Sequence, residues 1–447
     1  MAENLAARLK AKEKIFPGIH GYDDTVVPQL VHAILAGHTI AILGEKGQAK
    51  SRIMRSLTEL LDEWFPVLAH TDIPETPFHP ITTKGRTLAA SDDAEIRWMH
   101  REERYTERLA PGSRIADIIG DLDPSKVIGG ESLGSEAALH YGLLPRTNHG
   151  IFAVNELPDL DYLVQVALFN ILEESDIQIR GLPLRIPLDV FVAFTANPAD
   201  YTRSGKIITQ LKDRIGAEIR THYPRSRSTG LAITRQEVAA MLSVPQVRVP
   251  EFVEHIIEEI TIQARHSSVV NQKSGVSARL SIANYETAVA SARRRALFHG
   301  EDPGIVRLTD LGNLFASSSG KIELDPYRDE AVTEFQVIQK LIDQAIREVF
   351  LEYFPQKKYE PLMDQAAKQV FDARGLEISD GMPASAYRDV LKTVPALFDF
   401  LRDRAWDADD QLLASGLEFI LEGLATNEKL SRRKLGEMIS FKSVDVY

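Results

Sequence analysis

The stretch His38-Thr39-Ile40-Ala41-Ile42-Leu43-Gly44-Glu45-Lys46-Gly47-Gln48-Ala49-Lys50-Ser51 opens on a short apolar, β-branched run that reads as a buried central strand. It then turns on glycines. Beyond the turn Ile53, Met54, Leu57, Leu60 and Leu61 recur at three- and four-residue spacing, which predicts a helix over residues 51–64 packed on a sheet. Strand, glycine loop and helix in that order make Gly44, Glu45, Lys46, Gly47, Gln48, Ala49, Lys50 and Ser51 a phosphate-binding loop one substitution from the P-loop pattern, with Ala49 at the second glycine. The chemistry requires backbone N–H groups that wrap phosphate oxygens, a lysine that reaches the terminal phosphates and a hydroxyl for magnesium. Lys50 and Ser51 fit those roles. The blander reading is a turn whose glycines only permit chain reversal.

Working outward, residues 151–154 and 190–194 are short and apolar enough to be strands covered on both faces, which predicts a parallel α/β sheet. Between them, residues 162–172 have helical spacing, and residues 177–186 alternate around Gly181 and Pro183 as a projecting hairpin. Residues 225–230 are polar and turn-rich, and strand-like runs cease there. The next apolar face (Val253, Ile256, Ile257, Ile260) and a long helix over residues 281–297 are helical; residues 317–320 and the Asp325-Pro326 step mark a second linker before helical spacing resumes at Ile338. The expected division is residues 1–224 as an N-terminal arm and α/β core, 231–319 as an all-helical lid, and 321–447 as a C-terminal helical domain, close to three units at about 150 residues each.

A nucleotide site also needs polar groups at neighbouring strand ends. Asn155 and Glu156 follow the strand at 151–154. Glu156 is the candidate general base, and Asn155 stands where an aspartate is expected to order magnesium-bound water. An asparagine can hydrogen-bond that water but brings no charge, so the cation is expected to be held less strongly. Asn197, after the strand at 190–194, can orient water against a γ-phosphate. Arg214, flanked by apolar residues, suits an arginine finger, and Arg279 begins a helix of the lid and can close on nucleotide from that side. Taken singly, these residues also read as a strand end, a turn-capping Asn-Pro and surface salt-bridge arginines.

In this order, the pieces from Gly44 to Arg279 resemble an AAA+ ATPase, in the branch of MoxR-type ATPases and the magnesium chelatase I subunit, over roughly residues 15–320. Tyr141-Gly142-Leu143-Leu144-Pro145 is similar to the chelatase subunit's Pro-Gly-Leu-Leu segment, and Gly120-Asp121-Leu122-Asp123 to its Gly-x-Leu-Asp element. The resemblance implies a P-loop AAA+ core with ATP and Mg2+. Asn197 then matches sensor 1, Arg214 the arginine finger, Arg279 sensor 2, and the hairpin at Gly181 the insertion before sensor 1. It further implies a homo-oligomeric ring, commonly a hexamer, with nucleotide between subunits and partners that often carry a von Willebrand factor A domain. Asn155 departs from the aspartate most members have.

With 52 basic and 64 acidic residues the formal charge is -12, so phosphate backbones and anionic lipid are not expected partners. The absence of cysteine excludes disulfides, thiolate metal sites and thiol nucleophiles and fits a cytoplasmic setting. Neither a signal peptide nor a membrane-spanning run is visible. The 12 histidines form no metal-ligand spacing, and residues 291–295 read as a solvated helix face rather than a nucleic-acid patch. The expected function is an ATP-hydrolysing motor that remodels or assembles a protein partner. Its rivals are a weakly hydrolysing assembly switch, the motor subunit of a metal chelatase, and a DNA-remodelling role.

Overall fold

The computed structural model describes residues 1–107, 114–129, 135–179, 185–203, 206–242, 247–272, 274–326, 333–436 and 438–444. They fall into two compact units, Met1–His222 and Tyr223–Tyr447. The segments expected as lid and C-terminal domain share the second.

The first unit is built on a parallel sheet of β1 (Ile40–Leu43), β2 (Tyr105–Thr106), β3 (Gly150–Val154), β4 (Val190–Ala196) and β5 (Ala217–Arg220), in the order β5-β1-β4-β3-β2. Strand alternation sends Ile40, Ile42, Ile151, Ala153, Ala193 and Ile219 to one face. There they meet α1 (Ala2–Lys10), α2 (Val26–Leu35) and α3 (Lys50–Ser56) through Leu5, Leu30, Ile34, Ile53 and Met54. Leu43, Phe152, Val154, Val192 and Phe194 face the other way, against Leu144, Val164, Leu168 and Leu211. Both faces are covered, as the apolar strand runs require.

Two elements differ from the periodicity. The helix expected over 51–64 ends at Ser56, passes through a 3-10 turn at Leu57–Leu60, and gives way to an antiparallel ribbon of Trp64–Leu68 with Ile96–His100. Leu57 and Leu60 stay fully buried in the tighter turn, and Pro66 holds the residue before it extended. The helix expected over 162–172 is two short helices, Tyr162–Ala167 and Phe169–Glu173, meeting at Leu168. The hairpin pairs Asp176–Gln178 with Arg185–Pro187, and its tip at Gly181 lies outside the described residues.

In the second unit the long helices Glu251–His266, Arg279–His299, Glu334–Tyr353 and Asp410–Thr426 enclose one apolar core that runs from Val238 to Phe441. Phe350, Tyr353 and Phe354 join Phe252 and Phe419 in an aromatic cluster. To this helical frame the structure adds an antiparallel sheet of β6 (Leu376–Ser379), β7 (Leu430–Leu435) and β8 (Met438–Ser443), in the order β6-β8-β7. The serines read as a linker at 317–320 are structural: Ser317 and Ser318 are buried and both donate to Asn284 Oδ1, at 2.7 and 3.1 Å. Among the described residues no helix is long and apolar enough to cross a membrane.

The basic run at 291–295 is only partly solvated. Arg293 and Arg294 are exposed, whereas Arg295 is buried and donates to Asp310 Oδ1 at 2.7 Å, beside Ser291 Oγ at 2.8 Å. With both partners almost wholly out of water, Asp310→Ala leaves an uncompensated buried guanidinium and should cost about 3–5 kcal/mol. Urea unfolding of the full chain measures it. A loss below about 1 kcal/mol would mean that water reaches Arg295.

Candidate nucleotide site

The parallel register places the carboxyl ends of the five-stranded sheet on one edge. Leu43 lies beside Ala196 and Arg220, and Val154 beside Phe194, so Gly44, Asn155, Asn197 and Thr221 emerge together. Gly44 must be glycine, because a Cβ there would meet Thr221 Oγ1 at 1.7 Å. Gln48 ties the loop down: its Oε1 accepts from Glu45 N at 3.0 Å and Thr221 Oγ1 at 2.7 Å, while Tyr22 Oη donates to its carbonyl at 2.9 Å. Ala49 takes the left-handed conformation, φ 58°, just before α3. A glycine there would avoid a strain of about 1–2 kcal/mol, which explains why the general pattern has one.

Lys50 is 8% exposed. Its ammonium donates to Gly44 O, to Glu45 O at 3.3 Å and to Asn197 Oδ1 at 3.0 Å. The nearest carboxylate oxygen with which it pairs, Glu156 Oε1, is 3.9 Å away. Burial pushes its pKa below the usual lysine value, against the opposing pull of Glu156 and Glu45. A buried cation solvated mainly by neutral carbonyls at a helix N-terminus fits an anionic phosphate.

Ser51 Oγ donates to Asn155 Oδ1 at 3.2 Å. The same oxygen accepts from Thr195 Oγ1 at 3.2 Å, and Thr195 Oγ1 in turn accepts from Glu156 N at 3.0 Å. Glu156 is itself left-handed, φ 53°, a second strained non-glycine residue at this edge. The hydroxyl and amide oxygens of Ser51 and Asn155 form a hard-oxygen donor pair that suits Mg2+ completed by phosphate and water. Among the described residues no group of three or more acidic or histidine side chains is placed to cage a metal.

Arg214 is not in this cluster, and Arg279 belongs to the second unit. Arg214 caps the helix Thr209–Asp213, and its guanidinium donates to Glu173 Oε2 at 2.9 and 2.6 Å and to Gln210 O at 2.8 Å. Arg279 is exposed at the first turn of Arg279–His299 in the second unit. Sequence reasoning missed Thr195, Gln48's clasp, Glu173, and Glu107, whose Oε1 accepts from Asn155 Nδ2 at 2.8 Å. Only Thr195 had a signal, as a β-branched hydroxyl two residues before Asn197 at the end of a strand.

No family model matches the chain. The magnesium-chelatase subunit ChlI of Synechocystis is 29% identical over 230 residues, 49% of this chain and 61% of that protein. The same subunit from Nostoc is 27% identical over 234 residues, 51% of this chain and 59% of that protein. The sequence is similar, over about half of its length, to the magnesium chelatase I subunit, the AAA+ branch that its loop and strand-end residues resemble. It spans about three fifths of the length of these curated relatives. A solved assembly, the complex between subunits BchI and BchD of magnesium chelatase, aligns with this chain at 18% identity and a TM-score of 0.36, over 73% of this chain and 98% of that one.

Proposed function

We propose that this AAA+ chain binds ATP at the Gly44 to Ser51 loop and hydrolyses it to ADP and phosphate, as a MoxR- or chelatase-type motor that remodels or assembles a protein partner. The observation that carries the reading is the buried Lys50 ammonium, aimed at the strand-end cluster of Asn155, Glu156 and Asn197 with its nearest carboxylate contact at 3.9 Å. A triphosphate supplies the missing charge.

In this reading the loop's N–H groups and Lys50 bind the phosphates, and Ser51 and Asn155 hold Mg2+. When bound, the metal neutralises charge on the β- and γ-phosphate oxygens. Asn197 spends its carbonyl on Lys50, which leaves its amide N–H groups to position water and γ-phosphate. Glu156 accepts the proton of the attacking water. Arg214 of a neighbouring subunit and Arg279 of the helical lid stabilise developing charge. That division of labour calls for a ring, taken as a hexamer, and a partner with a von Willebrand factor A domain is the first to seek. Asn155 favours a second reading, an assembly switch with slow hydrolysis. The relatives' name raises a third, the motor of a metal chelatase, which would also require a porphyrin-binding partner.

Titration with a fluorescent ATP analogue tests the site. Lys50→Ala should weaken binding by about 2–5 kcal/mol, roughly thirtyfold or more. Equal affinity in the two proteins, or no saturable binding to the unaltered chain, would end the proposal.

A further inference from the structure

Asn155 is fixed by three contacts. Its Oδ1 accepts from Ser51 and Thr195, and its Nδ2 donates to Glu107 Oε1 at 2.8 Å. A carboxylate can only accept, so the atom facing Glu107 is nitrogen, and the amide oxygen is turned to Ser51. Glu107 follows the edge strand β2, which pairs with β3, and its side chain is 9% exposed. Arg55 of α3 grips it bidentately, at 2.6 and 2.9 Å, from a side chain that is 58% exposed. The guanidinium is therefore screened by water far more than the carboxylate it orients.

We propose that Glu107 is a positioning residue that restores, through Asn155, the negative charge lacking at position 155, and so sets the affinity of the site for magnesium. This rests on the nucleotide reading above. Donation from Nδ2 to a carboxylate draws electron density toward Oδ1, which makes the amide a better acceptor for metal-bound water. The carboxylate also forbids the flipped amide, whose N–H groups would face Ser51 and repel a cation. The arrangement keeps a carboxylate's influence at the metal while separating it by one side chain from the phosphates.

The competing account is structural: Glu107 only ties β2 to α3 through Arg55. Binding of the ATP analogue to the full chain is measured across a magnesium titration and again in EDTA. Glu107→Gln keeps the shape and can still accept from Nδ2, but it loses the charge. It should raise the magnesium concentration for half-maximal effect about tenfold or more, with affinity in EDTA altered by less than about twofold. Arg55→Met, which cuts the structural tie and leaves the carboxylate, should not raise it. Asn155→Asp combined with Glu107→Gln moves the charge to position 155 and should recover the unaltered magnesium dependence. An unchanged half-point in Glu107→Gln, or the same loss in Arg55→Met, overturns the proposal while nucleotide binding stands. Absence of binding to the unaltered chain in both media overturns the nucleotide reading and this one with it.

Discussion

Replacing Arg214 with alanine is expected to lower ATP turnover by about 10³–10⁵-fold while nucleotide affinity changes little, because a guanidinium that meets the γ-phosphate chiefly in the transition state adds to rate rather than to binding. The side chain is not idle in the single chain: Glu173 holds it, at 28% and 53% exposure for the two partners. A half-solvated pair of that kind is worth about 0–1 kcal/mol, so a phosphoryl group offering a bidentate, charge-assisted contact can take the arginine from it. Glu173→Ala should accordingly alter turnover by less than about tenfold. Mixing settles whose site the arginine serves. Arg214→Ala and Glu156→Gln chains, each inactive alone, should regain activity together if the arginine reaches a neighbour's nucleotide, since some interfaces then carry an intact Glu156 and an intact Arg214. Turnover within about tenfold of the unaltered protein would remove Arg214 from the reaction, and no recovery on mixing would remove it from a neighbour's site.

How much of this was legible depends on how far each residue announces itself locally. Ile40 to Leu43 form a fully buried strand followed by a glycine loop, so strand and loop are readable from a dozen residues. That Asn197 ends up beside Lys50 and Asn155 beside Ser51 depends on β4 lying between β1 and β3, a pairing no local pattern reports. Glu107 was illegible because its strand has only two residues, too few to show alternation, and its neighbour in space is 48 positions away. Leucine spacing over residues 57–61 fits a 3-10 turn as well as an α-helix, and it does not report that the chain must enter a ribbon at Trp64. Ser317 and Ser318 look like linker residues until Asn284, 33 and 34 positions earlier, satisfies their hydroxyls in the core. Composition records polarity; it does not record whether a partner waits inside.

Glu156→Gln is expected to reduce turnover by about 10²–10⁴-fold, the usual contribution of a positioned general base, without weakening ATP binding. Glutamine preserves the side chain's size and leaves in place the bond from Glu156 N to Thr195 Oγ1, which holds the strained backbone. What disappears is the proton acceptor, together with a negative charge 3.9 Å from Lys50. Loss of that charge removes a competitor of the γ-phosphate for the ammonium, so ATP should bind at least as tightly as before. The direction on affinity separates the base from a residue that merely shapes the pocket, since damage to the pocket would lower affinity and rate together. The same measurement decides between motor and switch. If the unaltered chain turns over ATP no faster than Glu156→Gln while both bind it, Asn155 has left hydrolysis negligible, and the nucleotide acts by holding subunits together rather than by being consumed.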